Sequence, residues 1–444
     1  MAGGSHTVGY IYVANSIDRS LGQCSFHTII FSAGVRTVVT SWQAVRRFRP
    51  SHPLDALVLT SLIWFLAKFV RYVFPPLFGE LGATYDVSTA VLGTSFTGFM
   101  LAYAAMQFPS GAFADRFGSV PVLAGGALIA AVASLALVVD SPFAVLVLAM
   151  VVMGASTGLP KTAAVRLLSR IYPSTTGRAI GVLDTVGAFS GVVAPAAVVF
   201  ALGVPWLFSA NWRLVFLVAG IAGVAVTIAF VVRVSSRVPD DSGSDEGDRV
   251  DPRRYLLLFR RPSFAAFVLV TIFFSFTYNG VVAFLPLYLV CEAGLTSSTA
   301  GLLYSSLFVA SLIQLFTGEI SDRIGRLPVA CVTLGLAAAS IVALIALSGT
   351  GNVVGLGAAV FAIGLGSHGF RPVRGSHLMA VLPDEAAGGS LGVVRTLLMG
   401  SAAISPAIVG LMSDTVGFQP AFWTLAGTMA AATVTTAVLV LADR

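Results

Sequence analysis

The sequence predicts an all-α membrane protein in which twelve transmembrane helices form two pseudo-symmetric six-helix bundles. The first observation is the composition, because 57% of the 444 residues are hydrophobic and only 10% are charged, a balance that suits lipid better than water. The second is the recurrence of uncharged runs close to the roughly 20 residues that cross a bilayer as a helix. The third is an internal repeat that divides the chain into two halves.

The predicted spans are the apolar runs between charged residues and turn residues. They lie at approximately 55–77, 89–112, 119–139, 142–165, 178–202, 212–233, 264–288, 297–317, 328–348, 353–374, 390–411 and 418–441. Basic residues such as Arg116, Arg166 and Arg323 collect in alternate loops. The other loops hold acidic residues such as Asp140, with Arg213 as the main exception. By the positive-inside rule, the protein is predicted to lie in a cell membrane with both termini in the cytoplasm.

Four segments follow from this pattern. Residues 1–52 form a polar and basic arm that is either disordered or precedes the true start of translation, and residues 53–234 form the first bundle. A polar linker at 235–262 joins it to the second bundle at 263–444. The basic string before the first span predicts a topology anchor, and the three cysteines are too far apart for a disulfide framework or a zinc site. We therefore expect a bilayer partner, no nucleic-acid partner, no metal and no cofactor.

Two patterns recur in the two halves of the chain. The loop GAFADRFG at 111–118 follows the second predicted span, and the loop GEISDRIG at 318–325 follows the eighth. A pattern of Gly, Thr and Pro at 181–195 in the fifth span recurs at 392–406 in the eleventh. Both repeats place equivalent residues in equivalent spans, so the chain is predicted to contain two copies of one six-helix unit.

These loops resemble the signature loops of the major facilitator superfamily of secondary transporters, and the resemblance covers residues 53–444. It implies alternating access, in which two halves rock about a substrate site near the bilayer midplane. It also implies that residues of the two loops latch the halves together on the cytoplasmic side. Those gating candidates are Asp115, Arg116, Asp322 and Arg323. The alternative is that each loop is a helix cap without a gating role.

The lysines indicate where the substrate site lies. Of 26 basic residues only Lys68 and Lys161 are lysines, and both fall inside predicted spans. Lys68 and Arg71 share one helix face, and burying each at a span centre costs about 2.5–3.5 kcal/mol. Cation–π contact with Trp64 or Tyr72 returns only about 0.5–2 kcal/mol. The difference predicts an aqueous cavity, an acidic partner or an anionic ligand.

The second half offers matching cations. The repeat aligns Lys161 with Arg371, one turn before Arg374. The superfamily resemblance implies that the first, fourth, seventh and tenth spans line the cavity, so Lys68, Arg71, Lys161 and Arg371 are predicted to bind substrate. Snorkelling toward the inner surface is the alternative for the latter two. Lys68 also stands where organic-anion members of the superfamily often carry an arginine.

Few acidic residues oppose these cations. Asp184 lies within the fifth span, its repeat partner is Arg395, and both are candidates for gating or coupling. Asp184 is predicted to form a structural ion pair or, alternatively, to carry a coupling proton. A cavity with so few carboxylates favours an anionic substrate. Tyr72, Asn279 and His368 are further substrate-binding candidates, although His368 could instead bond the backbone or carry a proton.

No enzyme motif stands in the right context. The GASTG string at 154–158 matches a nucleophile-elbow spacing but lies inside a span, without the strand and helix that such an elbow needs. The sequence therefore predicts a secondary active transporter for a small organic or inorganic anion, with an unidentified coupling ion, and not an enzyme. One alternative is an exporter of amphipathic, drug-like compounds. Another is a transporter-like membrane sensor that binds its ligand without flux.

Overall fold

The computed structural model describes residues 54–204, 210–235, 260–381 and 387–442. Within them there is no strand, and twelve helices are long and apolar enough to cross a membrane. The spans are Asp55–Tyr85 (α1), Thr89–Phe117 (α2), Ser119–Ala136 (α3), Phe143–Ile171 (α4), Thr176–Leu202 (α5), Arg213–Val234 (α6), Pro262–Cys291 (α7), Ser297–Ile324 (α8), Arg326–Leu347 (α9), Val353–Val381 (α10), Ala387–Thr415 (α11) and Phe418–Ala442 (α12). The predicted number and order of spans are confirmed. The predicted arm at 1–52 and most of the predicted linker lie outside the described residues.

Helix pairing repeats between the two halves. In the first half α1 packs on α5, α2 on α4 and α3 on α6, and in the second half α7 packs on α11, α8 on α10 and α9 on α12. The same unit is therefore built twice, as the sequence repeat predicts. Where the two halves meet, α2 packs on α11 and α5 packs on α8.

Two of the spans are interrupted, which the hydropathy pattern does not predict. The span α4 consists of Phe143–Gly158 and Pro160–Ile171, because proline has no N–H to continue the helical ladder. The hydroxyl of Ser110 donates a hydrogen bond to the carbonyl of Leu159 at the break, over 2.6 Å. The span α8 contains a 3₁₀ turn at Ala310–Ile313. Such breaks in a membrane helix occur where protein or a wet cavity satisfies the freed backbone groups.

The repeated loops adopt matching backbone conformations. Gly118 and Gly325 end the two motifs with φ values of 84° and 101°, in a region that glycine enters without the steric cost of a Cβ atom. Each glycine separates a pair of consecutive spans, α2 from α3 and α8 from α9. The two motifs are thus structurally equivalent turns.

The two halves are tightly joined at the end opposite these loops. The backbone N–H of Ala90 in α2 donates to the carboxylate of Asp414 in α11 over 2.8 Å. The backbone N–H of Ala407 donates to the hydroxyl of Thr97 over 3.0 Å. Beside them, the hydroxyl of Ser305 in α8 donates to a backbone carbonyl of α5 over 3.3 Å. These cross-half hydrogen bonds close the bundle at this end.

Two glycines permit this close approach. A Cβ atom at Gly93 would lie 2.4 Å from the carbonyl oxygen of Pro406, and one at Gly410 would lie 2.8 Å from that of Thr89. Both obstacles are backbone atoms, which cannot move aside as a flexible side chain can. Backbone of α2 therefore rests directly on backbone of α11.

The end with the repeated loops is open. A Cβ atom added at Gly181 in α5 or at Gly318 in α8 would meet nothing within 4 Å among the residues that the structure describes. Leu315, also in α8, is 69% exposed although it lines the space between the halves. The halves are thus packed at one end and separated at the other.

The exceptional Arg213 has an acidic partner at the closed end. Its side chain is 3% exposed at the start of α6, and its Nη2 donates to Oδ1 of Asp140, which follows α3, over 2.6 Å. The hydrogen bond from Arg213, and then its charge, lower the pKa of Asp140. Asp140 thus compensates the buried charge of Arg213, the residue that departs from the charge pattern predicted for the loops.

The Asp140→Asn variant is expected to lower the melting temperature at neutral pH, because Arg213 loses its carboxylate partner. Folding lowers the pKa of Asp140. The stabilisation that the ion pair gives is therefore complete above the ordinary aspartate pKa of about 4, and it is lost as the pH falls through the lowered pKa. Thermal unfolding of both proteins across this pH range tests this. Asp86→Asn, at the exposed end of α1, is the control. Equal melting temperatures for Asp140→Asn and the parent at pH 7 would contradict the role of the pair.

Candidate functional site

A cavity of about 600 Å³ lies between the two halves. This volume falls within the range of about 300–1,000 Å³ that is usual for small-molecule sites. The lining side chains come from α1, α2, α4 and α5 of the first half and from α7, α8, α10 and α11 of the second. Because both halves contribute, the shape of the cavity depends on how the halves are placed.

Basic side chains dominate the lining of this cavity. Among the residues that the structure describes, it is lined by six basic residues and one acidic residue, Asp184. The basic residues are Lys68, Arg71, Lys161, Arg371, Arg374 and Arg395. A concave site with such an excess of one charge concentrates the opposite charge. The arrangement therefore favours anions.

The two lysines of the chain share one aromatic ring. The Nζ atoms of Lys68 and Lys161 lie 5.2 Å and 5.3 Å from the ring centroid of Trp64. Gly187 in α5 leaves room for this indole, because a Cβ atom there would lie 2.4 Å from the Trp64 ring. Residues far apart in the sequence thus form one small cationic cluster on the first half.

Lys161 forms an ion pair with Asp184, which joins α4 to α5. The ion-pair interpretation of Asp184 matches this contact, and Lys161 lines the cavity instead of extending to a membrane surface. Asp184 remains 53% exposed. Since it is the one described carboxylate in the lining, the remaining cations face the cavity without an acidic partner there.

Arg71 links the two halves at the centre of the cavity. Its Nη2 donates to Oδ1 of Asn279 in α7 over 2.6 Å, and the Asn279 amide donates to the carbonyl of Ser275 over 2.8 Å. The Arg71 guanidinium also lies 5.6 Å from the ring of Tyr103. Its Nε is buried and has no hydrogen-bond partner among the described residues. A neutral amide leaves the positive charge of Arg71 uncompensated.

Two arginines of α10 stand over aromatic rings of α7. The Cζ atom of Arg371 lies 4.5 Å from the ring centroid of Tyr278, and that of Arg374 lies 5.7 Å from that of Phe274. The two arginines are three residues apart and therefore share a helix face. They form the cationic wall of the second half.

Arg395 connects the halves nearer the open end. Its Nη2 donates to Oε1 of Gln107 in α2 over 2.5 Å. The amide nitrogen of the same Gln107 lies 3.8 Å from the sulfur of Met399 in α11. This contact is polar but uncharged on the first-half side, so Arg395 also keeps its charge available to the cavity.

His368 is not among the residues that line the cavity. It is 2% exposed, and its ring lies 5.7 Å from Tyr278 and 6.2 Å from Phe308. Neither ring nitrogen has a hydrogen-bond partner among the described residues, so the expected backbone bond is not found. The residue lies behind the aromatic layer, whereas Tyr72 lines the cavity and packs on Phe308 with ring centroids 4.6 Å apart.

The loop residues pair within their own halves. Asp115 pairs with Arg166 of α4, and Arg323 pairs with Glu319 of α8. Two further loop residues are exposed, Arg116 and Asp322. The implied latch between the halves is therefore not formed by these described contacts. The physical reason is that this end of the bundle is open, which holds the two loops apart.

Some lining residues have no obvious signal in the sequence. Tyr103 and Met100 in α2, Phe308 in α8 and Phe274 in α7 all line the cavity. Tyr103 lies four residues before Gln107, which accepts a hydrogen bond from Arg395, but the sequence does not show that this helix face meets the cavity. An aromatic residue in a span can face lipid, the protein core or the cavity, and helical periodicity does not distinguish these three positions.

A helical bundle built from two repeated halves around a cavity lined by basic residues is the architecture of multi-pass membrane proteins of the secondary-transporter class. The sequence model of the Major Facilitator Superfamily matches the chain in two overlapping regions, residues 60–369 and 292–444. The protein belongs to this family. The family expected from the repeated loops is thus confirmed.

Several curated proteins are similar to this chain. The oxalate:formate antiporter of Oxalobacter formigenes is 27% identical over 63% of this chain and 66% of its own length. A Cupriavidus necator protein named for sulfoacetate transport is 26% identical over 63% and 65%. A Staphylococcus aureus protein named for proline/betaine transport is 24% identical over 73% and 66%. The chain thus spans about two thirds of the length of these relatives.

Solved transporter structures share the fold. An inward-facing, occupied structure of a bacterial homologue of the human lysosomal transporter Spinster superposes with a TM-score of 0.73. It is 18% identical in sequence, and the match covers 89% of this chain and 98% of that one. At this identity the likeness concerns the fold alone.

Because the chain has only two lysines, amine labelling can test the geometry of the cavity. Asp184→Asn removes the carboxylate that pairs with Lys161, and a less stabilised ammonium is expected to react faster with a water-soluble amine reagent. Mass spectrometry of the labelled peptides measures both rates in one sample. Lys68, the other lysine beside the Trp64 ring, is the internal reference. An unchanged ratio of Lys161 to Lys68 labelling would contradict the ion pair.

Proposed function

We propose that this protein is a secondary active transporter that moves a small organic or inorganic anion by alternating access. The observation that carries the proposal is the charge of the cavity, with six basic residues and one acidic residue in its described lining. Each cation held at the centre of a membrane span costs about 2.5–3.5 kcal/mol. A wet cavity reduces this cost, and a bound anion offsets it further.

Lys68, Arg71 and Arg371 are the proposed principal contacts of the anion. They come from α1 and α10, so they represent both halves. Arg71 already bonds Asn279 across the halves, and a carboxylate or sulfonate is a stronger acceptor than an amide oxygen. The anion would therefore displace or extend this bond. Binding would then draw on cations of both halves at once.

The packing at the two ends supports alternating access. In this structure the end that holds Asp414 is closed by cross-half hydrogen bonds, and the end with the repeated loops is open. If the loops are cytoplasmic, as the charge pattern predicts, this arrangement is inward-open. The opposite state requires α2 and α11 to part at the Asp414 end. It would also bring the loops together, where Asp115 and Asp322 could form the latch.

The relatives support an anion only in part. Oxalate, formate and sulfoacetate are anions, but proline and betaine are not, so the names of the relatives do not choose the substrate. The charge of the cavity supports the anion. An exporter of amphipathic compounds would be favoured by a cavity without converging cations, and this cavity has six of them. A flux measurement distinguishes a transporter from the alternative of a sensor that binds its ligand without flux.

In proteoliposomes, the reconstituted protein should take up at least one of the anions oxalate, formate and sulfoacetate in exchange for anion inside the vesicles. Lys68→Gln and Arg71→Gln are each expected to weaken binding of the transported anion about tenfold or more, because each removes a charged hydrogen bond to it. Arg178→Gln, which removes an exposed charge outside the cavity, is the matched control. Binding without flux would indicate a sensor. Uptake of a lipophilic cation that is unchanged in both variants would indicate the exporter.

Gly93→Ala should open the closed end, because the added methyl group meets the carbonyl oxygen of Pro406. Spin labels at Ala83 and Val416, in a background without native cysteines, would report the separation of the halves at that end. We expect a new population at longer distance. Gly125→Ala is the control, since nothing lies within 4 Å of that position. Identical distance distributions for the two variants would contradict this role of the α2–α11 contact.

A further inference from the structure

Four of the six basic residues of the cavity form two pairs on opposite halves, and this inference rests on the proposed anion transport. The lysine subsite consists of Lys68 and Lys161 around Trp64, on the first half. The arginine subsite consists of Arg371 and Arg374 over the rings of α7, on the second half. Each subsite therefore combines two cations with an aromatic support, and the two lie on opposite halves.

The lysine subsite offers one available charge. Lys161 is neutralised by Asp184, whereas Lys68 has no ion pair among the described residues. Lys68 is also held by the indole, which Gly187 allows to pack close to it. An ammonium fixed in this way suits one carboxylate, sulfonate or phosphate group. The Lys68 ammonium does not need a second anionic group.

The arginine subsite offers a planar set of donors. Arg371 and Arg374 stand one helical turn apart, and no described carboxylate in the cavity lining is left to pair with them. Two like charges at this spacing repel each other. An anionic group between or across them would remove the repulsion, and guanidinium groups bind planar oxyanions through paired hydrogen bonds.

The rest of the cavity lining is largely apolar. Phe189 and Val192 of α5 and Leu312 and Leu315 of α8 line the cavity, and Phe189 and Leu312 are 53% and 50% exposed. A cavity of about 600 Å³ is much larger than a single inorganic oxyanion requires. An apolar body of about the size of a ring would cover these side chains and remove them from water.

We propose that the substrate is an organic anion with two separated anionic groups on an apolar, ring-sized body. One anionic group binds Lys68 at the lysine subsite, and the other binds Arg371 and Arg374 at the arginine subsite. The body lies against the apolar side chains of α5 and α8. A monoanion would leave one subsite charged and unpaired. A dianion links the two halves, so its binding also favours their closure around it.

Benzene carboxylates test this inference, because they vary charge and spacing on one body. Phthalate, isophthalate and terephthalate carry two carboxylates at three separations, benzoate carries one, and succinate carries two without a ring. Dissociation constants are measured by calorimetry on the purified full chain. We expect at least one of the three dianions to bind about tenfold or more tightly than both benzoate and succinate.

Variants that each remove one charge then identify the residues that bind the two anionic groups. Lys68→Gln and Arg371→Gln should each weaken binding of the preferred dianion about tenfold. Each should affect benzoate much less, because a monoanion can use the remaining subsite. Lys68→Arg should restore most of the dianion affinity. Arg178→Gln is the control for charge, and the melting temperature of each variant confirms that it is folded.

The binding results distinguish a failure of the two-subsite inference from a failure of the proposed anion transport. If benzoate binds as tightly as all three phthalates, the two-subsite inference is overturned while anion binding stands. If succinate binds as tightly as the best phthalate, the ring-sized body is overturned. If no probe binds, and sulfate and oxalate also fail to bind, the proposed function is overturned together with this inference.

Discussion

The cost of holding charged side chains inside an apolar bundle is the constraint on which this structure depends. Each cation at the centre of a span costs about 2.5–3.5 kcal/mol, and six basic residues line the central cavity. The structure offsets this cost in three ways. The cavity opens at one end of the bundle, aromatic rings support most of the cations, and one ion pair neutralises Lys161. The net charge that remains is what makes the site suitable for an anion.

The same cavity requires unequal packing at its two ends. At one end α2 and α11 meet backbone to backbone, through glycines at positions where a methyl group would not fit. At the other end the halves separate, and α8 changes to a 3₁₀ turn beside the cavity. Ion pairs of the repeated loops stay within each half there. The tight end fixes the halves in one arrangement, and the open end gives water access to the charged centre.

Much of the fold follows from the sequence. Apolar runs of the right length define the spans, and the repeated loops define two equivalent halves. The shared face of Lys68 and Arg71 follows from helix geometry, and the scarcity of lysine outside the spans marks Lys68 and Lys161. The interruption of α4 is less evident, because Phe143–Ile171 as a whole is long and apolar enough to be interpreted as one continuous span. Hydropathy measures transfer to lipid, whereas the helical ladder depends on the N–H groups that proline lacks.

The sequence by itself determined the number of spans, their repeat and the presence of basic residues within them, because composition and periodicity act over short distances along the chain. Only the tertiary structure decided which partners meet. Arg71 bonds Asn279, Arg395 bonds Gln107, and both lysines share Trp64. It also placed His368 behind the cavity wall. Helical periodicity assigns a residue to a face, but the partner on that face depends on how distant helices pack.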